Sequence, residues 1–169
     1  MQKHSLRGNV WTRLALSQYL DTVYRLAYAR TRSRQDAEDV SQEVMLKLCR
    51  SADRIESEAH LKHWLIRVTV NECANIFRSP WKRRFLPLEE GMLSEVGDAP
   101  APNDRLDAAL EKLKPDQRTA IHLFYYEDMS TEEIARALGV KPTAVRERLH
   151  RARKKLKELL EGKEADGNV

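Results

Sequence analysis

The sequence predicts an all-α chain: two small helical domains joined by a flexible linker. Apolar residues recur at helical spacing through most of the 169 residues, and no segment alternates with the two-residue period of a strand. The helix breakers, moreover, are gathered in one place. Pro80, Pro87, Gly91, Gly97, Pro100 and Pro102 crowd between residues 80 and 102, whereas residues 9 to 79 contain neither proline nor glycine. The expected division is residues 1–78, a linker at 79–104, a second domain at 105–161 and a disordered tail at 162–169. Each half is long enough for only a modest core.

In the first half, Leu16, Tyr19, Leu20, Val23, Leu26 and Ala27 mark an amphipathic helix from about 11 to 31. Ser33 caps a second helix, whose inner face is Ala37, Val40, Val44 and Leu48. The third, about 59 to 78, is apolar around much of its circumference (Leu61, Trp64, Leu65, Val68, Val70, Cys73 and Phe77), as the central helix of a small bundle would be. Past the linker, short helices are expected near 105–113 and 115–126, with Pro115 in a first turn. Ser130 and Glu133 then form a capping box flanked by the staple pair Met129 and Ile134. Gly139 stops that helix, and Pro142 opens a last one running to about 160.

The net charge of +4 suits a polyanionic partner without identifying one, and its distribution says more. Between Lys141 and Lys157 stand eight lysines and arginines, opposed only by Glu147. Cys49 and Cys73 lie in apolar helical stretches, are expected to be buried, and are too few for a disulfide framework. With no apolar run of the roughly 18 residues a bilayer crossing needs, and no signal-peptide core, the expectation is a cytoplasmic protein without membrane insertion.

Residues 130–149, STEEIARALGVKPTAVRERL, have the spacing of a helix-turn-helix. Ala135 is small where two helices approach closely, Gly139 makes the turn, and Ile134, Leu138, Val140, Val145 and Leu149 point inward. Opposite them, Thr143, Arg146, Glu147, His150, Arg151 and Lys154 form an outer stripe: forked guanidinium donors for base edges, then lysine for phosphate. The competing reading is an ordinary helical hairpin with a solvated basic face. On the second helix Asp39, Gln42, Glu43 and Leu46 lie opposite the buried stripe, as a protein contact or merely a solubilising face. On the third helix Arg67, Asn71 and Arg78 share one side with Trp64 at its edge, a combination suited to unstacked bases, although Trp64 taken alone is more often core than base platform.

Two stretches carry a family resemblance. YRLAY and DAEDVSQEVMLKL within Tyr24–Leu48, followed by HWLIRVTVN (His63–Asn71), resemble region 2 of extracytoplasmic-function (ECF) sigma factors of bacterial RNA polymerase. LDAALEKLKPDQR, STEEIARALGV and VRERLHRARKKL within Leu106–Leu156 resemble their region 4. The resemblance implies a promoter-recognition subunit with no catalytic site, cofactor or metal of its own. It implies that Asp39, Gln42, Glu43 and Leu46 bind the β′ clamp helices of core RNA polymerase. The loop at 56–61 with His60, and Asn71, Arg67, Trp64 and Arg78, would engage the −10 element. Thr143, Arg146, Glu147, His150, Arg151 and Lys154 would meet the −35 element while region 4 rests on the β flap, and an anti-sigma factor would restrain the chain. Glu147 and Ser41 depart from the family pattern, where a small polar and an aliphatic residue are usual; Glu56 and Glu58 make the −10 loop acidic.

The alternative is a two-domain helix-turn-helix regulator that works without core polymerase. It leaves the acidic stripe and the Arg67/Asn71 face without a role. An enzyme is a poor reading: His60 and His63 lack a third ligand, and no phosphate loop or activated nucleophile is present. Two promoter elements about two helical turns apart demand a nearly extended linker, so the free chain is expected to hold its domains closer than the polymerase-bound one.

Overall fold

The computed structural model describes residues 9–78 and 104–162, and all its regular elements are helical. The expected linker and all but the first residue of the expected tail lie outside the described residues, apart from Asp104, which begins a helix. In chain order α1 comprises residues 9–14, a π-type stretch at Ala15–Tyr19 and Leu20–Thr31. It is followed by α2 (Arg34–Ser51), a 3-10 turn (Ala52–Arg54) and α3 (Glu58–Arg78). Then come α4 (Asp104–Glu111), α5 (Pro115–Ile121, continued by a π-type stretch at His122–Tyr126), α6 (Thr131–Leu138) and α7 (Pro142–Leu160).

Local sequence accounts for most of these boundaries. Ser33 accepts a hydrogen bond from the Asp36 amide at 3.2 Å, satisfying one of the free donors of α2. Ser130 accepts from Glu133 N–H at 3.2 Å and Glu133 accepts in return from Ser130 N–H at 2.8 Å, the reciprocal capping box that the sequence predicts. Gly139 ends α6 in the left-handed conformation (φ 68°), and Pro115 and Pro142 open their helices.

The π-type stretch at Ala15–Tyr19 corrects the expected inner face of α1. Its wider turn offsets the phase of the residues within and before it, so Ala15 is buried while Leu16, expected to face inward, is 51% exposed; Leu20, just past the stretch and also expected inward, is 40% exposed. Cys49 is likewise exposed, lying on the outer side of the last turn of α2, and only Cys73 is buried. Burial pushes the Cys73 thiol up to about 12, which keeps it protonated and inert. Phe77, expected within the apolar surface of α3, is 36% exposed. Ser41 is accommodated without strain: buried in α2, its hydroxyl donates to the Ala37 carbonyl at 2.7 Å.

Two buried clusters make the interior. One gathers Val23, Ala27, Val40, Val44, Leu48, Leu61 and Leu65 from α1, α2 and α3, with Trp11 and Trp64 packed at its edge. The other gathers Leu123, Met129, Ile134, Val145 and Leu149 from α5 to α7. The second cluster also includes Leu26 of α1 and Ile66 of α3, each at most 2% exposed, so the helices of the first half complete the core of the second.

That seam is tied by arginines. Arg118 of α5, 8% exposed, donates to the Ala29 and Arg30 carbonyls at 2.8 and 2.6 Å, and to the Glu111 and Leu113 carbonyls at 3.3 and 2.5 Å. Arg30 donates back to Asp116 at 3.0 Å and to the Thr119 hydroxyl at 2.9 Å. Arg32 reaches Asp107 at 3.0 Å while lying 4.9 Å over the Tyr28 ring.

His122 lies at the same seam, stacked on Tyr126 with ring centroids 5.5 Å apart and its Nε2 3.5 Å from Glu127, which Arg25 of α1 approaches at 3.8 Å. Burial, then the Arg25 charge, push the imidazole down to about 4. A histidine held neutral in the folded chain contributes stability that is complete above its ordinary value near 6.5 and lost as pH falls toward 4. Glu127, pushed up by burial, acts in the opposite sense because the folded chain takes its proton first. Urea midpoints should therefore fall between pH 6.5 and 5, and His122→Phe should flatten that slope. An unchanged slope in the variant would show that His122 is not its source.

Candidate nucleic-acid interface

The outward side of α7 follows from its apolar side. Val145, Leu149 and Ala152 are buried, and residues one and two positions away from them project outward. Thr143, Arg146, Glu147, His150, Arg151 and Lys154 are all exposed, so the six residues expected to read DNA share one accessible stripe. Two of its arginines are held by carboxylates: Arg151 by Glu147 at 2.5 Å, and Arg146 by Glu132 of α6 at 3.6 Å. With side chains more than half exposed, such pairs are weakly held and readily exchanged for a phosphate or a guanine edge.

On α2 the buried Val40, Ser41, Val44, Met45 and Leu48 fix the helix against α1 and α3. This leaves Asp39, Gln42 and Leu46 exposed and Glu43 partly so, with Leu46 at 52%. An acidic stripe with an uncovered leucine at its carboxyl end offers charge for steering and an apolar anchor for a helical protein partner.

On α3, Arg67, Asn71 and Arg78 are exposed along one side, at the four- and seven-residue spacing of a helix face. Trp64 is partly buried and packs on the first cluster, which assigns its ring to the core rather than to an open platform. His60, expected in a loop at 56–61, stands instead in the first turn of α3 and is partly buried: its Nδ1 accepts from the Glu56 amide at 3.2 Å, and its own amide donates to Ser57 Oγ at 3.1 Å. Ser57 thus caps α3, which begins at Glu58, one residue before the start near 59 that the sequence reading gives. Among the described residues no three histidine, cysteine or carboxylate side chains cluster as metal ligands. No described helix is long and apolar enough to cross a membrane.

Arg67 does not stand free beside Asn71. Its Nε donates to the Ala137 carbonyl at 3.1 Å and its Nη2 to the Arg136 carbonyl at 3.0 Å, both at the carboxyl end of α6. Arg136 also lowers the His63 imidazole, after burial, from its ordinary value. The seam arginines Arg30 and Arg118 were not among the expected functional residues. The only trace of Arg118 in the sequence is its helical phase, shared with Ile121 and His122 on an otherwise buried side.

Comparison with known proteins agrees with this geometry. Residues 15–83 match the Sigma-70 region 2 family and residues 103–156 the Sigma-70, region 4 family. The ECF RNA polymerase sigma factor SigE of Mycolicibacterium smegmatis is 35% identical over 159 residues, covering 89% of this chain and 61% of SigE, so the chain spans about three fifths of that relative. The ECF RNA polymerase sigma factor SigM of Mycobacterium tuberculosis is 33% identical over 141 residues, covering 82% of this chain and 71% of SigM. The sigma factor RpoE of Bartonella quintana, solved in complex with the anti-sigma factor NepR, is 28% identical and superposes with a TM-score of 0.69 over 88% of this chain and 94% of its own. With regions 2 and 4 both matched, in order, on helices that expose a basic stripe and an acidic face, the chain belongs to the ECF family of RNA polymerase sigma factors.

Proposed function

We propose that this chain binds core RNA polymerase and directs it to promoters by recognising a −10 and a −35 element. The observation that carries this reading is the presence of both matched regions on one chain, each with its own outward polar face. A helix-turn-helix regulator independent of polymerase is not favoured, since it gives the region 2 match and the α2 stripe nothing to do.

In this reading Asp39, Gln42, Glu43 and Leu46 meet the β′ clamp helices. Asn71, Arg67, His60, Trp64 and Arg78 serve the −10 element, with Trp64 supporting the helix from beneath. Thr143, Arg146, Glu147, His150, Arg151 and Lys154 serve the −35 element, and region 4 rests on the β flap. The functional division is residues 1–78 for polymerase and the −10 element, a linker at 79–104, 105–161 for the −35 element, and a tail at 162–169. The chain contributes no chemistry; nucleotide addition belongs to the polymerase, which places the work in the cytoplasm. An anti-sigma factor as a further partner is supported by the likeness, over both halves, to a sigma factor solved with NepR.

Co-purification with core polymerase, followed by mapping of transcript starts after overexpression, tests the reading as a whole. Arg146→Ala and Arg151→Ala should each lower discrimination at the −35 element by about 1–3 kcal/mol while leaving polymerase binding intact. Lys154→Ala should instead weaken all sequences alike and reduce the salt dependence. Footprints that do not change would remove α7 from the role. Reversing the charge of Asp39 and Glu43 together should abolish capture of core polymerase without unfolding, because neither residue is buried. Wild-type capture by a well-folded double variant, judged by circular dichroism, would misplace that surface.

A further inference from the structure

The carboxyl end of α6 is capped from outside its own half. Helix carbonyls of the last turn lack intrahelical partners. The Ala135 carbonyl is met by the amide of Val140, within the turn itself. The next two, Arg136 and Ala137, are met by the guanidinium of Arg67 on α3. Gly139 makes room for it: a Cβ there would stand 3.3 Å from Arg67 Nη2. The cap is reciprocal, since Arg118 of α5 covers the Ala29 and Arg30 carbonyls at the carboxyl end of α1.

Farther along α3, Phe77 and Arg78 line a groove of about 690 Å³ whose other wall includes Glu147, Arg148 and Arg151 of α7. Arg78, assigned to one promoter element, therefore faces Glu147 and Arg151, assigned to the other, across this groove. The acidic stripe on α2 stays open to solvent.

We propose that Arg67 is a latch with two mutually exclusive partners: the carboxyl end of α6 in the free chain, and nucleic acid once the seam has parted. This rests on the reading above. The exclusivity is atomic. Nε and Nη2 form one edge of the guanidinium fork, the edge used for bidentate contact with a phosphate or a guanine, and both are committed to backbone carbonyls. Release of that edge uncovers two carbonyls of α6, so it accompanies separation of α3 from α6.

The test uses the full chain and a fluorescein-labelled pool of random 15-nucleotide single strands. Arg30→Ala removes the ties to Asp116 and Thr119, and Arg30 is not among the residues assigned to either promoter element. It should enlarge the radius of gyration in solution scattering and tighten strand binding roughly tenfold, the factor by which loss of one charge-assisted hydrogen bond raises the open population. Adding Arg67→Ala to that variant should lose the gain. Thr119→Val, which breaks the Arg30 tie from the other side, serves as the second seam variant should Arg30→Ala not fold. The latch is contradicted if neither variant expands the chain, if an expanded chain binds strands no better than wild type, or if the double variant binds as tightly as Arg30→Ala. Failure of the wild-type chain to capture core polymerase would sink the sigma reading instead, and the two failures are separable because strand binding is measured without polymerase.

Discussion

The arrangement depends on unpaired carbonyls at two helix ends and the two arginines that reach across to cover them. A short helix leaves its last carbonyls without partners, and each one left dry costs about 1–3 kcal/mol. Here α1 ends against α5 and α6 ends against α3, so at the seam the helix terminus of each half is covered by an arginine of the other. Leu26 and Ile66 add the apolar part of the same dependence by completing the second core. Stability and function meet here, because Arg67, which closes the seam on α6, also belongs to the face proposed to read melted DNA.

Much of this fold is legible in the sequence where the responsible physics is local. The capping box at Ser130 and Glu133, the left-handed Gly139 and the prolines opening α5 and α7 each act within four residues, and each is found where its residues predict. The exposed stripe of α7 is legible for the same reason: Val145, Leu149 and Ala152 fix the phase of a regular helix, and the phase fixes what faces out. The phase argument fails where the helix is irregular. The wide turn at Ala15–Tyr19 carries no residue signature, so Leu16 is wrongly assigned inward.

The seam is illegible for a different reason. Periodicity places Leu26 on an inward face but not against what, and it looks like a residue of the first core alone, while Ile66 is not singled out at all. An arginine donating to backbone carbonyls leaves no complementary charge in the sequence to pair with, so Arg67 reads as a free basic group and Arg118 does not stand out beside Asp116 and Gln117. Asp116 and Arg30 are complementary, but 86 positions separate them and nothing local links the two. The acidic stripe of α2 lies between these extremes, its exposure readable and its partner suggested only by family likeness.

If the seam couples the halves as described, the chain unfolds as one unit. The measurement is equilibrium urea unfolding of the full chain carrying Trp81→Phe, followed by two probes. Tryptophan fluorescence then reports only Trp11 and Trp64, both packed on the first core, while far-ultraviolet circular dichroism reports helices in both halves. The account predicts coincident transitions with a single midpoint and slope. Two separated transitions, with the fluorescence change complete while much of the helical signal survives or the reverse, would show that the halves are stable apart and that the arginine caps do not join them.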